Sequence, residues 1–385
     1  MSTPPPARRP ARRTSGWVIG RAAGAPIILA PSWLLAALAL TLLFAPTVRN
    51  RIGDVGAGVY LVALVFVVLL FASVLVHELA HGLVAKARGQ QPQEFVLTLW
   101  GGHTSFGGAA PTPATSALVA VVGPLANLVL AALFLAAARS VDPPAVGEPG
   151  ITSLLLYSGA IANGFVGLFN LVPGLPLDGG RVLEAIVWAV TKNRHTGTVV
   201  AGWCGRVVAV GVFAWALVLP LVQGYQPNVG DVLWAALIGA FLWTGASGAV
   251  RGGRTQKAVD QVSFATVGRR AATVGHADSV AHAWAVAAAA GADEVVVLAP
   301  DGRPAAYVDR AAAASVPAEQ AGTTPVTAVA VPLPVGAVVD ASLTGSALVA
   351  AVGQATRIAP VVAATLDGRV VGLIRATDVI AAIRS

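Results

Sequence analysis

VYLVALVFVVLLFASVLVHELAH, residues 59–81, decides how the chain is to be read. From residue 59 to 76 only Ser73 is clearly polar, and the run continues without a helix breaker into His77-Glu78-Leu79-Ala80-His81. Eighteen or more apolar residues are what a bilayer-spanning helix requires. Ionisable side chains at such depth are costly and mark function by default. Residues four apart share a helix face, so His77 and His81 can offer their imidazoles to one metal ion. Glu78, roughly a quarter-turn from His77, can reach a water on that metal and serve as a base. Chance is the alternative. With six His and six Glu in 385 residues, an HExxH arises by chance in about one such chain in a thousand.

Working outward, composition agrees with a membrane setting. The chain is 56% hydrophobic and 11% charged, with a mean hydropathy of +0.74, whereas soluble domains carry about 25% charged residues. This is the composition of a polytopic α-helical membrane protein lying in a lipid bilayer. Residues 1–255 hold 16 Lys/Arg against 8 Asp/Glu, and residues 256–385 hold 9 against 10. The excess positive charge therefore sits on the membrane part, where the positive-inside rule accounts for it. A nucleic-acid partner would need a clustered basic face on the soluble part, which is nearly neutral. A single cysteine, Cys204, excludes an intrachain disulfide and a cysteine-type zinc site.

In chain order, PPPARRPARR opens a disordered basic tail over residues 1–25. A membrane domain of six spans follows over residues 26–255. The spans are expected near 27–44, 59–86, 116–138, 151–171, 199–221 and 232–250. Between the second and third, alternation through residues 95–106 predicts a hairpin turning at Gly101-Gly102. The third span contains Gly123-Pro124 and Asn127, and the fourth puts Asn163 and Asn170 on one face. That fourth span breaks at NLVPGLPLDGGR, residues 170–181. A break facing lipid is not viable, so this segment must line a cavity or lie buried in protein. Lys86, Arg88, Lys192, Arg194, Arg251 and Arg254 fall on the side of the N-terminal arginines, which places both termini in the cytoplasm and the His77/His81 pair toward the inner leaflet. Residues 256–385 read as a soluble α/β region. Its two copies of helix–strand–turn–strand–helix, near 265–316 and 325–385, are an internal repeat.

Catalytic zinc takes three protein ligands and keeps one position open for water. Asp178 lies in the one broken, cavity-lining segment and is the favoured third ligand. Its other use would be to cap the helix that follows. Glu184 and His103 are the remaining candidates.

HELAH in a membrane helix, with NLVPGLPLDGGR about a hundred residues later, resembles the site-2 protease family of intramembrane zinc metalloproteases. The C-terminal repeat resembles a pair of CBS domains, and together they are similar to the bacterial and archaeal subgroup that carries both. The resemblance implies one zinc per chain on His77, His81 and Asp178, with Glu78 as general base. It implies that Asn170 orients substrate or stabilises the oxyanion. Gly123, Pro124 and Asn127 match the family's GPxxN. The expected activity is regulated intramembrane proteolysis of single-span membrane proteins in the cell's inner membrane. Residues 95–106 resemble the re-entrant element that pairs with substrate. The CBS likeness implies homodimerisation or gating. It also implies an adenine nucleotide beside Asp378, although Arg375 stands where Thr or Ser is usual and the first copy lacks the matching Asp. Two other readings stay open here: a CBS-regulated transporter or channel, and a catalytically silent membrane scaffold. A transport pathway has no need of HExxH combined with this broken segment.

Overall fold

The computed structural model describes residues 15–53, 56–99, 101–108, 110–141 and 150–384, and the chain divides after Arg251 into two compact units. The first unit begins with strands β1 (Trp17–Ala22) and β2 (Ala25–Leu29). Helices α1 (Ser32–Ile52) and α2 (Gly58–Ala87) follow, then the hairpin β3 (Gln90–Thr98) and β4 (Gly101–Gly108). Next come α3 (Pro113–Val141), α4 (Ile151–Asn170), α5 (Asp178–Thr191), α6 (Arg194–Val222) and α7 (Val229–Asp260), the last of which runs past the division. All but α5 are long and apolar enough to cross a membrane, six candidate spans among the described residues. The protein is a multi-pass membrane protein. At 1.5 Å per residue the 30 residues of α2 extend about 45 Å, more than the ~30 Å hydrocarbon layer.

The four strands form one sheet in the order β1-β2-β3-β4. β2 runs parallel to β3, with Ile27 opposite Phe95 and Leu29 opposite Leu97, and the other two pairings are antiparallel. Ala25, Ile27 and Phe95 are buried against Leu75 and Leu79 of α2. The sheet is thus seated on the turn of α2 that carries His77, Glu78 and His81.

Three expectations need correction. The disordered tail was expected through residue 25, but residues 17–22 are already strand; the arginine-rich residues 1–14 lie outside the described residues. The first span starts at Ser32, because Ile27 and Ile28 are consumed by the sheet, where β3 gives their backbone a partner. Gly101 and Gly102 are not the turn of the hairpin but belong to β4, opposite Thr98 and Leu97. Gly102 is spent on close approach to α2: a Cβ there would stand 2.5 Å from Glu78 Cγ. α3 runs three residues past its expected span at each end, α6 begins five residues early and α7 ends ten residues late, while α2 and α4 match their expected spans to within one residue.

The second unit contains α8 (Phe264–Val267), β5 (Gly268–Gly275), α9 (Val280–Ala289), β6 (Glu294–Leu298), β7 (Pro304–Val308), α10 (Arg310–Ala314) and a 3-10 turn (Val326–Val329). It continues with β8 (Ala330–Pro332), β9 (Val338–Asp340), α11 (Gly345–Ala355), β10 (Val361–Leu366), β11 (Arg369–Arg375) and α12 (Ala376–Arg384). One sheet holds all seven strands in the order β8-β7-β6-β5-β11-β10-β9. In each half a strand passes through a helix to a parallel neighbour and then turns back in a hairpin: β5, β6 and β7 in one half, β9, β10 and β11 in the other. The halves meet where β5 pairs with β11. The repeat is present, but its division lies later than expected. β8 falls within the second expected copy yet pairs with β7 of the first.

Candidate metal centre

His77 and His81 lie one turn apart on α2, with their rings edge-on at a centroid separation of 4.6 Å. The chain returns to them a hundred residues later through the Pro/Gly segment that ends α4. That segment delivers Asp178 as the first residue of α5. Asp178 Oδ2 sits 3.0 Å from His77 Nε2 and 3.3 Å from His81 Nε2, and the two Nε2 atoms are 3.0 Å apart. The helix-capping alternative fails, since Leu177 occupies the N-cap and makes no side-chain capping bond. A carboxylate in the first turn also meets the positive end of the α5 dipole.

The two imidazoles have matching surroundings. His81 Nδ1 donates to the Val119 carbonyl at 2.6 Å, and His77 Nδ1 lies 2.5 Å from Asn127 Oδ1. A neutral ring that donates from Nδ1 presents a bare lone pair at Nε2. Two nitrogen lone pairs and a carboxylate oxygen therefore converge on one point, an arrangement that repels itself unless a cation sits among them. No other group of three or more metal-binding side chains occurs among the described residues. A His₂–carboxylate set is one that zinc accepts, so the residues fit the metal. Space for it depends on Gly123 of α3. A Cβ there would lie 2.7 Å from His77 Nε2 and would collide with His81 Nε2.

Glu78 is buried beside the pair, and its Oε2 accepts a hydrogen bond from Thr104 Oγ1 of β4 at 2.7 Å. Asn170, at the end of α4, lines the same cavity of about 400 Å³ as His77, Glu78, His81 and Asp178. His103 is exposed at the rim of this cavity and outside the donor group. Glu184 is paired with Arg194 at 3.0 Å, so neither reserve candidate joins the cluster. Thr104 and Gly102 escaped sequence reasoning. Their two-residue spacing on a strand puts both on one face, but nothing local says which face meets α2.

Residues 65–146 and 145–214 match the sequence profile of Peptidase family M50. A "Putative zinc metalloprotease" of Synechocystis sp. is 32% identical over 63% of this chain and 62% of its own length. A "Putative zinc metalloprotease" of Mycobacterium tuberculosis is 37% identical over 59% of this chain and 57% of its own. The chain thus spans about three fifths of the length of these curated relatives. Among solved structures, a site-2 protease from Methanocaldococcus jannaschii aligns at 24% identity over 61% of this chain and 95% of that one, with a TM-score of 0.42, too slight a likeness to argue from. The match to Peptidase family M50 is confined to residues 65–214, about two fifths of the chain.

Proposed function

We propose that the chain is an intramembrane zinc metalloprotease that cleaves membrane segments of single-span proteins in regulated intramembrane proteolysis. The observation that carries this reading is the convergence of His77, His81 and Asp178 in a walled cavity, with the carboxylate of Glu78 buried in the same wall. A zinc ion held by those three would supply a Lewis acid that polarises a carbonyl oxygen and lowers the pKa of water toward about 7. Glu78, held by Thr104, takes the proton from the attacking water and returns it to the leaving amine. Asn170 lines the cavity and offers an amide N–H to the developing oxyanion. β4 is the edge of its sheet, so an unwound substrate segment can add beside it. The cavity walls confine water to the place where it is needed.

Charge placement supports both termini in the cytoplasm and the cell's inner membrane as location. We read residues 26–255 as the protease domain and 256–385 as a CBS pair that regulates it or joins two copies. Adenine-nucleotide binding there is disfavoured by two contacts. Asp378 is held by Arg269 at 3.2 Å, and Arg375 by the buried Glu294 at 2.9 Å. No transporter appears among the relatives described, and no observation favours that reading or the silent scaffold.

The test is Glu78→Gln. Cleaved membrane peptides should disappear from cells carrying the variant, while the purified variant still holds one zinc per chain. Unchanged peptide profiles would remove Glu78 as base, and absence of zinc from the wild type would remove the metalloprotease reading itself.

A further inference from the structure

Behind His77, two amides and a hydroxyl connect α2, α3 and α4. Asn127 Oδ1 faces His77 Nδ1, and Asn127 Nδ2 donates to Asn163 Oδ1 at 2.9 Å. Asn163 Nδ2 donates to the Gly159 carbonyl at 2.9 Å and to Ser73 Oγ at 3.1 Å. The Ser73 proton goes to the Leu69 carbonyl at 3.0 Å. Both asparagines are 1% exposed and Ser73 4%, so water cannot substitute for any of these partners.

An amide side chain can turn over and exchange donor for acceptor with little change of shape. A backbone carbonyl cannot, because it only accepts. The Gly159 carbonyl can face an N–H of Asn163 but not a second oxygen, which leaves Asn163 Oδ1 toward Asn127. That oxygen in turn requires the Nδ2 of Asn127, leaving Asn127 Oδ1 toward His77. An acceptor at that place requires the proton on His77 Nδ1 and so leaves Nε2 bare. Polarity thus runs from a backbone carbonyl of α4 to the nitrogen that faces the cluster. If Asn127 were reversed, its N–H would demand a lone pair at Nδ1 and put the proton on Nε2, between His77 and Asp178. His81 needs no such chain, since the Val119 carbonyl sets its Nδ1 directly.

We propose that Asn163 is a positioning residue that, through Asn127, holds His77 in its metal-binding tautomer. This rests on the reading of His77, His81 and Asp178 as a zinc site. Groups that orient a metal-ligating histidine typically change affinity by about 10–100-fold when removed.

The experiment measures zinc affinity of the full-length protein in detergent by competition with a chromophoric chelator, with melting temperature followed alongside. Asn163→Leu keeps the branching at Cγ and removes the polarity, and should bind zinc about 10–100-fold more weakly. Asn163→Asp keeps an acceptor for Asn127, and as a neutral carboxyl at that depth it offers an O–H to the Gly159 carbonyl. It should stay within a few-fold of wild type. A packing role alone predicts the reverse order, because leucine suits a membrane interior better than a carboxyl group. Asn163→Ala should lose as much as Asn163→Leu and carries the comparison if the leucine variant does not fold. Wild-type affinity in the leucine or alanine variant would overturn the relay while leaving the zinc site standing, as would equal losses in the aspartate and leucine variants. A wild-type protein that binds no zinc would overturn the site, and the relay with it.

Discussion

A side chain at position 123 would have to share space with both imidazoles, and one at 102 with the Glu78 side chain. These two glycines let α3 and β4 come close enough for their backbones to wall the site. From β4 the hydroxyl of Thr104 then reaches the Glu78 carboxylate. A hydrogen bond to a charged group contributes about 1.5–3 kcal/mol, and here it sets the direction in which the base points. Thr104→Val, of nearly equal volume, should therefore lower turnover by the equivalent of about 1.5–3 kcal/mol, with zinc content and KM unchanged, and Thr104→Ser should restore most of it. The kcat and KM of the two variants on one transmembrane substrate check this. His77, Glu78 and His81 were legible because helical spacing is local. Thr104 was not, since its partner depends on which face of a strand meets a helix distant in sequence.

The hairpin of β3 and β4 shows how an element can be foreseen and still be misplaced. Alternation announced two strands, and the Gly-Gly pair looked like their turn, but Gly101 and Gly102 pair with Thr98 and Leu97 inside β4. Register was decided by burial: Phe95 is fully buried, and its ring lies against Gly82 of α2. A slip of one residue would turn Phe95 outward and carry Thr104 away from Glu78. Phe95→Ala should cost about 3–5 kcal/mol, as for other buried aromatic truncations, read as a lower denaturation midpoint of the purified protein. A change within a few tenths of a kcal/mol would mean that the sheet is not seated through this ring. α5 begins at Asp178 itself, within the Pro/Gly segment. That start brings the carboxylate to the histidines.

Taken whole, the chain divides into a unit that carries the candidate spans and a C-terminal β-rich repeat, and each has its own buried clusters. Within the repeat, Glu294 of the first half is 3% exposed and its partner Arg375 belongs to the second. An ion pair therefore crosses the seam at which β5 meets β11. Removing one partner of a buried pair leaves an uncompensated charge and costs about 3–5 kcal/mol, whereas neutralising both costs far less. Arg375→Ala should lower the melting transition of the C-terminal unit in the full-length protein, by less than that full cost because Arg269 remains 4.0 Å from Glu294, and adding Glu294→Gln should recover most of it. Equal melting of the two variants would show that the seam does not depend on this charge pair.

Spans, charge bias, the tandem repeat and HExxH were all present in the linear chain, because each follows from composition or from periodicity within one element. The residues that complete the site come from elsewhere. Asp178, Thr104 and Asn163 lie on three other elements, and their meeting with α2 depends on helix packing and strand register, which no single stretch encodes. The opening motif could announce two ligands and a base. The third ligand's approach, the hydroxyl that holds the base and the amide chain behind His77 arise only when α3, α4, α5 and the sheet close on α2, since buried polar groups take their partners from whatever element is packed against them.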